Sequence, residues 1–107
     1  MTVSADVALQ DVVQRLVEAY RPERIYLFGS RARGETTADS DYDLLVIVAD
    51  DAPADRRRSR LAYQALRGTG VAADVVVWTR SAFEARTSLR ASLAATVLAE
   101  GRVLYAA

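Results

Sequence analysis

Three aspartates and one glycine-bounded turn carry the residue types in this sequence that could do chemistry. Asp41 and Asp43 stand two residues apart at the head of an apolar run, Tyr42-Asp43-Leu44-Leu45-Val46-Ile47-Val48. In a strand, period two puts both carboxylates on one face, roughly 7 Å apart along the backbone. Carboxylates that close repel each other unless a cation lies between them. Asp74 heads a second apolar run, Val75-Val76-Val77-Trp78. Three carboxylates can hold two divalent ions about 3.5–4 Å apart, the arrangement that serves in-line phosphoryl displacement. Upstream lies Gly29-Ser30-Arg31-Ala32-Arg33-Gly34. Its free N–H groups and the Ser30 hydroxyl can cradle phosphate oxygens, because glycine lets the backbone approach closely. Arg31 and Arg33 can add charge-assisted contacts. Ser40 is a further phosphate-binding candidate, although a turn-stabilising hydroxyl is the commoner use of such a residue.

The chain holds no cysteine, no histidine and no lysine. That excludes disulfides, thiol catalysis, Cys/His zinc sites, His-based triads and any lysine nucleophile. A metal here needs oxygen ligands, which points to a hard ion, Mg²⁺ or Mn²⁺.

The elements that must position these residues are legible in the pattern. Leu9, Val12, Val13, Leu16, Val17 and Tyr20 form one helical stripe over residues 5–20, with Ser4 as a candidate N-cap and Pro22 as the stop. Residues 24–28 and 42–48 read as strands, the second apolar on both faces and so central. A helix is expected over about 54–67, broken by Gly68-Thr69-Gly70. A third strand follows at 73–78. Ser81-Ala82-Phe83-Glu84 has the form of a capping box opening a helix. A last helix is expected at about 88–99, with Leu89, Leu93 and Val97 on its buried stripe. Gly101 ends it, and Arg102-Val103-Leu104-Tyr105 reads as a closing strand. Alternating strands and helices in 107 residues imply an α/β fold, a small mixed β-sheet packed with helices, in a single domain spanning 1–107.

Topology then gathers the candidates. The link from the second strand to the third exceeds twenty residues, which suits a parallel crossover. Parallel neighbours start at one sheet edge, so Asp74 belongs beside Asp41 and Asp43. If the first strand runs antiparallel to the second, Gly29 and Ser30 reach that same edge.

Gly29-Ser30 followed after ten residues by Asp41-x-Asp43 resembles the nucleotidyltransferase signature of the DNA polymerase beta superfamily. The wording Gly-Ser-Arg-Ala-Arg-Gly, then Ser-Asp-Tyr-Asp-Leu-Leu, is similar to the minimal nucleotidyltransferase (MNT) subgroup, and the likeness extends over nearly the whole chain to the closing Glu-Gly-x-Val-Leu-Tyr. Members of that subgroup are commonly antitoxins paired with a HEPN-domain ribonuclease toxin. The resemblance implies a nucleotidyltransferase-like fold, with Gly29 and Ser30 on the triphosphate of a nucleotide, ATP by preference, and Asp41 and Asp43 on two Mg²⁺ ions. Asp74 matches the third carboxylate, which helps bind the catalytic ion and deprotonate the attacking hydroxyl. It implies transfer of AMP from ATP to a tyrosine of a HEPN toxin, with release of pyrophosphate, and a hetero-oligomer with that toxin. Two alternatives stand beside it: an antitoxin that neutralises the toxin by covering it, and a transferase acting on a small molecule such as an aminoglycoside.

Composition narrows the partners. Fourteen arginines balance fourteen carboxylates, for a formal charge of zero. A duplex-binding protein normally carries a cationic surplus, so direct nucleic-acid binding is disfavoured. No apolar run approaches ~20 residues and no signal peptide is evident, so no membrane role and a cytoplasmic location are expected. Arg56-Arg57-Arg58-Ser59-Arg60 is a basic run, read either as a solvated face or as a docking surface. Tyr42 is expected on the face opposite the acids, and Trp78 as an anchor at the core edge.

Overall fold

The structure, a computed structural model, describes residues 3–29, 42–89 and 92–107, with side chains from residue 7 onward. Helix α1 (Val3–Tyr20) buries Val12, Leu16 and Tyr20 and half-buries Leu9, Val13 and Val17, the expected stripe. The described helix already includes Ser4, so this residue lies within α1 and not ahead of it. Its end is built by Arg21, whose N–H reaches the Val17 carbonyl at 2.8 Å and whose φ of 47° is left-handed; Pro22 then prevents continuation.

Strands β1 (Arg24–Phe28), β2 (Tyr42–Val48), β3 (Ala73–Thr79) and β4 (Arg102–Ala106) form one sheet in the order β3-β2-β1-β4. β2 is parallel to β3, β1 antiparallel to β2, and β4 antiparallel to β1, so the sheet is mixed as expected. β2 is interior, and Leu44, Leu45, Val46, Ile47 and Val48 are all buried. Its alternate residues feed two separate cores. Tyr42, Leu44, Val46 and Val48 pack with α1 and α2 (Arg60–Ala65), whereas Leu45 and Ile47 pack with Phe83 of α3 (Arg80–Thr87) and with Ala94 and Val97 of α4 (Leu93–Glu100). Helices thus cover both faces, and Tyr42 lies on the face opposite Asp43. Among the described residues no helix is long and apolar enough to cross a membrane.

Three local expectations are corrected. The segment 54–67 is not one helix. It divides into a 3-10 turn, Ala54–Arg57, and the short α2, with Arg58 extended between them (φ −115°, ψ 142°). The buried Tyr20 hydroxyl occupies the break: it donates to the Arg58 carbonyl and accepts from the Ala62 N–H at 2.8 Å. A buried hydroxyl must find partners, and uncoiling one residue supplies them. Second, α3 is capped by Thr79, which accepts from the Ala82 N–H at 3.2 Å, and not by Ser81. Ser81 instead donates to the Asp50 carboxylate, through its N–H at 2.8 Å and through its hydroxyl. Third, α4 starts at Leu93, capped by the Ser92 hydroxyl on the Ala95 N–H at 3.0 Å, and Leu89 is 56% exposed. Trp78 is half-buried against Phe83 with the Arg86 guanidinium 5.0 Å over its ring, the expected core-edge anchor.

Two outcomes follow. Tyr20→Phe keeps the ring but strands the Ala62 N–H and Arg58 carbonyl, and should cost about 1–3 kcal/mol in denaturant unfolding. The Ser81 hydroxyl and then its N–H hold the Asp50 carboxyl below the usual carboxylate range. A carboxylate with a lowered folded pKa contributes stability above its unfolded value, near 3.9, and loses it as pH falls through the folded value. Asp50→Asn should therefore be less stable than wild type at pH 6, with the gap narrowing as pH falls below about 4. A constant gap across acid titrations would contradict this account.

Candidate active site

The parallel register of β2 and β3 pairs Asp43 with Asp74 directly. Each stands two residues before a side chain of the α3/α4 core, Leu45 and Val76, so both lie on that face of the sheet. One strand-to-strand spacing, about 4.8 Å, separates their backbones. Both occupy the first turn of pleat at the open end of their strands, Asp43 half-buried and Asp74 exposed. Their outward position follows from the sequence: after each acid the strand turns apolar and descends between the helices.

β1 brings the third participant. Its last residue, Phe28, is the antiparallel partner of Asp43, and Gly29 follows with φ of 78°. A Cβ on Gly29 would stand 2.3 Å from Oδ2 of Asp43 and 3.1 Å from its Cγ. Glycine is required here twice, for the left-handed backbone and for the space the carboxylate occupies. Gly29, Asp43 and Asp74 are thus brought to one sheet end. Ser30, Arg31, Arg33, Ser40 and Asp41 lie outside the described residues. Among the described residues no three His, Cys, Asp or Glu side chains form a metal-binding group.

Two like charges facing each other across adjacent strands are unfavourable unless donors or a cation neutralise them. The donor set is all oxygen, which fits a hard divalent cation. Sequence reasoning placed Gly29 against phosphate but missed its contact with Asp43. The signal was present only in combination: a glycine ending one strand opposite an acid that begins its antiparallel neighbour. The opposite end of the sheet has different chemistry. There a cleft of about 590 Å³ is lined by Glu23, Arg24, Tyr26, Arg80 and Phe83, with Arg80 bonded to Glu23 at 3.2 Å. Arg24 there donates to the Tyr26 hydroxyl at 3.1 Å, and the cleft holds neither aspartate of the site.

Gly68 supplies an internal control for Gly29. Its φ is 87°, yet a Cβ there would meet nothing within 4 Å. Gly68→Ala should cost only the backbone term, about 1–2 kcal/mol. Gly29→Ala should cost at least about 1 kcal/mol more. Equal losses in urea unfolding would remove the steric role assigned to the Asp43 contact.

Comparison with known proteins agrees with this geometry. Residues 9–104 match the nucleotidyltransferase domain family. A Methanocaldococcus jannaschii protein named "Putative protein adenylyltransferase" is 35% identical over 102 residues, covering 92% of this chain and 95% of the relative. Among solved structures, a toxin–antitoxin complex with AMP-PNP has a chain that superposes with a TM-score of 0.59 at 24% identity, covering 92% of this chain and 73% of that one. A complex of tri-AMPylated Shewanella oneidensis HEPN toxin with MNT antitoxin gives a TM-score of 0.57 at 21% identity, covering 95% and 72%. At those identities the two structures establish a shared fold. The family match and the 35% relative extend over nearly the whole chain, and the chain belongs to the nucleotidyltransferase domain family.

Proposed function

We propose that this protein is a Mg²⁺-dependent nucleotidyltransferase that moves AMP from ATP to a tyrosine hydroxyl of a HEPN toxin, and acts as the antitoxin of that pair in the cytoplasm. The observation that carries the reading is the in-register pairing of Asp43 with Asp74 beside Gly29, in a chain of this family. The relative named as a protein adenylyltransferase supports the reaction class. The neighbour complexes with AMP-PNP and with an AMPylated toxin support ATP and a toxin as the two substrates.

On this reading each residue has a role set by its chemistry. Gly29 and Ser30 hold the triphosphate through backbone N–H groups and a hydroxyl, with Arg31, Arg33 and Ser40 adding donors. Asp41, Asp43 and Asp74 would hold two divalent ions, which when bound neutralise phosphate charge and polarise the α-phosphoryl group. Asp74 accepts the tyrosine proton as the phenolic oxygen forms its bond to the α-phosphorus. The bond from that phosphorus to the bridging oxygen breaks, and pyrophosphate leaves with the electron pair. Asp43 and Asp74 stand at strand starts, and sites built on strands hold reacting groups more precisely than sites built on loops.

The test uses the purified protein, Mg²⁺, the product of the neighbouring gene and ATP labelled in parallel at the α or γ phosphate. Label on the partner from α-ATP alone is expected. Asp74→Asn should lower the transfer rate by about 10²–10⁴-fold. A stable complex with no label from either ATP would instead favour an antitoxin that works by binding.

A further inference from the structure

The β2–β3 crossover carries a charge patch that the proposed reaction does not use. Residues 56–67 contain five arginines and no carboxylate. Arg57, Arg58, Arg60 and Arg67 are exposed and Arg56 is half-buried. None of the five forms an ion pair among the described residues, whereas Arg15 is bonded to Asp11 and Arg80 to Glu23. Arg58 and Arg60 rim a groove of about 440 Å³ with Asp55, Leu61 and Gln64. Asp55 borders the patch but forms no ion pair with either arginine among the described residues.

The segment bearing these charges is held in place from the interior. A helix as short as α2 is not stable alone. Two side chains of α1 fix it at both ends: the Tyr20 hydroxyl bonds Arg58 and Ala62, and Arg15 Nη1 donates to the carbonyls of Ala65 and Arg67, each at 3.3 Å. The arginines are thus displayed on a preorganised backbone, which lowers the ordering cost of binding. Crowding like charges costs a few tenths of a kcal/mol for each close pair, a cost that an anionic partner would reverse.

From this arrangement we infer that Arg56, Arg57, Arg58, Arg60 and Arg67 form a docking surface for a carboxylate-rich face of the acceptor protein. The inference rests on the reading above only in taking a protein as acceptor. Limited extent favours a protein over a nucleic acid. The patch is confined to one crossover, with Asp55 in the same groove as Arg58 and Arg60 and with Asp50 and Asp51 a few residues upstream in the chain. A polyphosphate backbone running past it meets negative charge, whereas a compact acidic face does not.

Docking is measured without ATP, so it is separable from catalysis. The immobilised product of the neighbouring gene is titrated with wild type and with the Arg57→Glu/Arg58→Glu/Arg60→Glu variant at 50–500 mM NaCl. The variant should associate about 10–100-fold more slowly at 50 mM and should lose the steep salt dependence that the wild type shows. If charge reversal disturbs the far-UV spectrum, the corresponding Gln variant replaces it, with the same sign and a smaller drop. Wild-type association by the folded variant at all salt concentrations would overturn the proposal, as would absence of any wild-type complex. Binding of a 20-nucleotide single-stranded RNA that only the variant loses, with acceptor docking unchanged, would assign the patch to RNA and overturn it too. Charge-dependent docking with no transfer of α-label would support the surface while refuting the catalytic reading.

Discussion

Parallel pairing of β2 with β3 is the constraint on which the rest of this structure depends. It sets Asp43 and Asp74 side by side, an arrangement that like charges oppose. Magnitudes show why it holds. At one strand spacing, two unit charges repel by about 1 kcal/mol in water and by a few kcal/mol at an effective dielectric of ~20. The five residues Leu44 to Val48 are buried. Each such side chain contributes about 1.5–3 kcal/mol, on the order of 10 kcal/mol together. A slip of one residue would move every side chain to the wrong core, because Leu44 and Leu45 belong to different ones. Burial therefore fixes the register, and the register holds the acids together against their charge.

The polar fastenings are distributed accordingly. Asp50 on the amide and hydroxyl of Ser81, Arg80 on Glu23, and the Tyr20 hydroxyl all act at the crossover or at the end of the sheet away from Gly29. They tie α3 to the sheet end where β2 and β3 finish, and α2 to α1. The other end, where β1 finishes and β2 and β3 begin, carries Gly29, Asp43 and Asp74. Asp50 and Asp43 illustrate the division. Asp43 lies near the start of β2 and Asp50 just past its end, yet Asp50 is held below the usual carboxylate range by one serine, while Asp43 is crowded by a backbone that leaves no room for a Cβ.

How much of this was legible depends on the range of the interactions involved. Strand limits at 24–28 and 42–48 follow from short apolar runs, and the long crossover implied that Asp74 starts beside Asp43. These readings use local pattern and chain connectivity, which a sequence displays. The break after Arg57 was not legible, because its cause is a hydroxyl on Tyr20, nearly forty residues away in sequence. Thr79 displaced Ser81 as the cap of α3 for a similar reason: Asp50, from another element, takes the serine. The contact of Gly29 with Asp43 depends on the register of an antiparallel pair, which residue types alone do not set. At the site, therefore, the placement of Asp74 beside Asp43 was readable, whereas the steric reason for glycine was not.

A net charge of zero conceals a strong internal asymmetry. Five of the fourteen arginines lie between residues 56 and 67, so the other nine face all fourteen carboxylates in the rest of the chain, which carries a net charge of −5. The asymmetry sets opposite demands on two ligands. A nucleoside triphosphate is itself anionic, and at an edge bearing Asp43 and Asp74 it is repelled until cationic charge intervenes. Hard cations between carboxylate and phosphate satisfy both. An acidic protein face, in contrast, is drawn to the crossover and away from the carboxylate edge. With a Debye length of about 8 Å in physiological salt, neither field extends over the whole molecule. Each surface therefore selects its ligand at close range, and a chain with no overall charge can receive two anionic partners at different places.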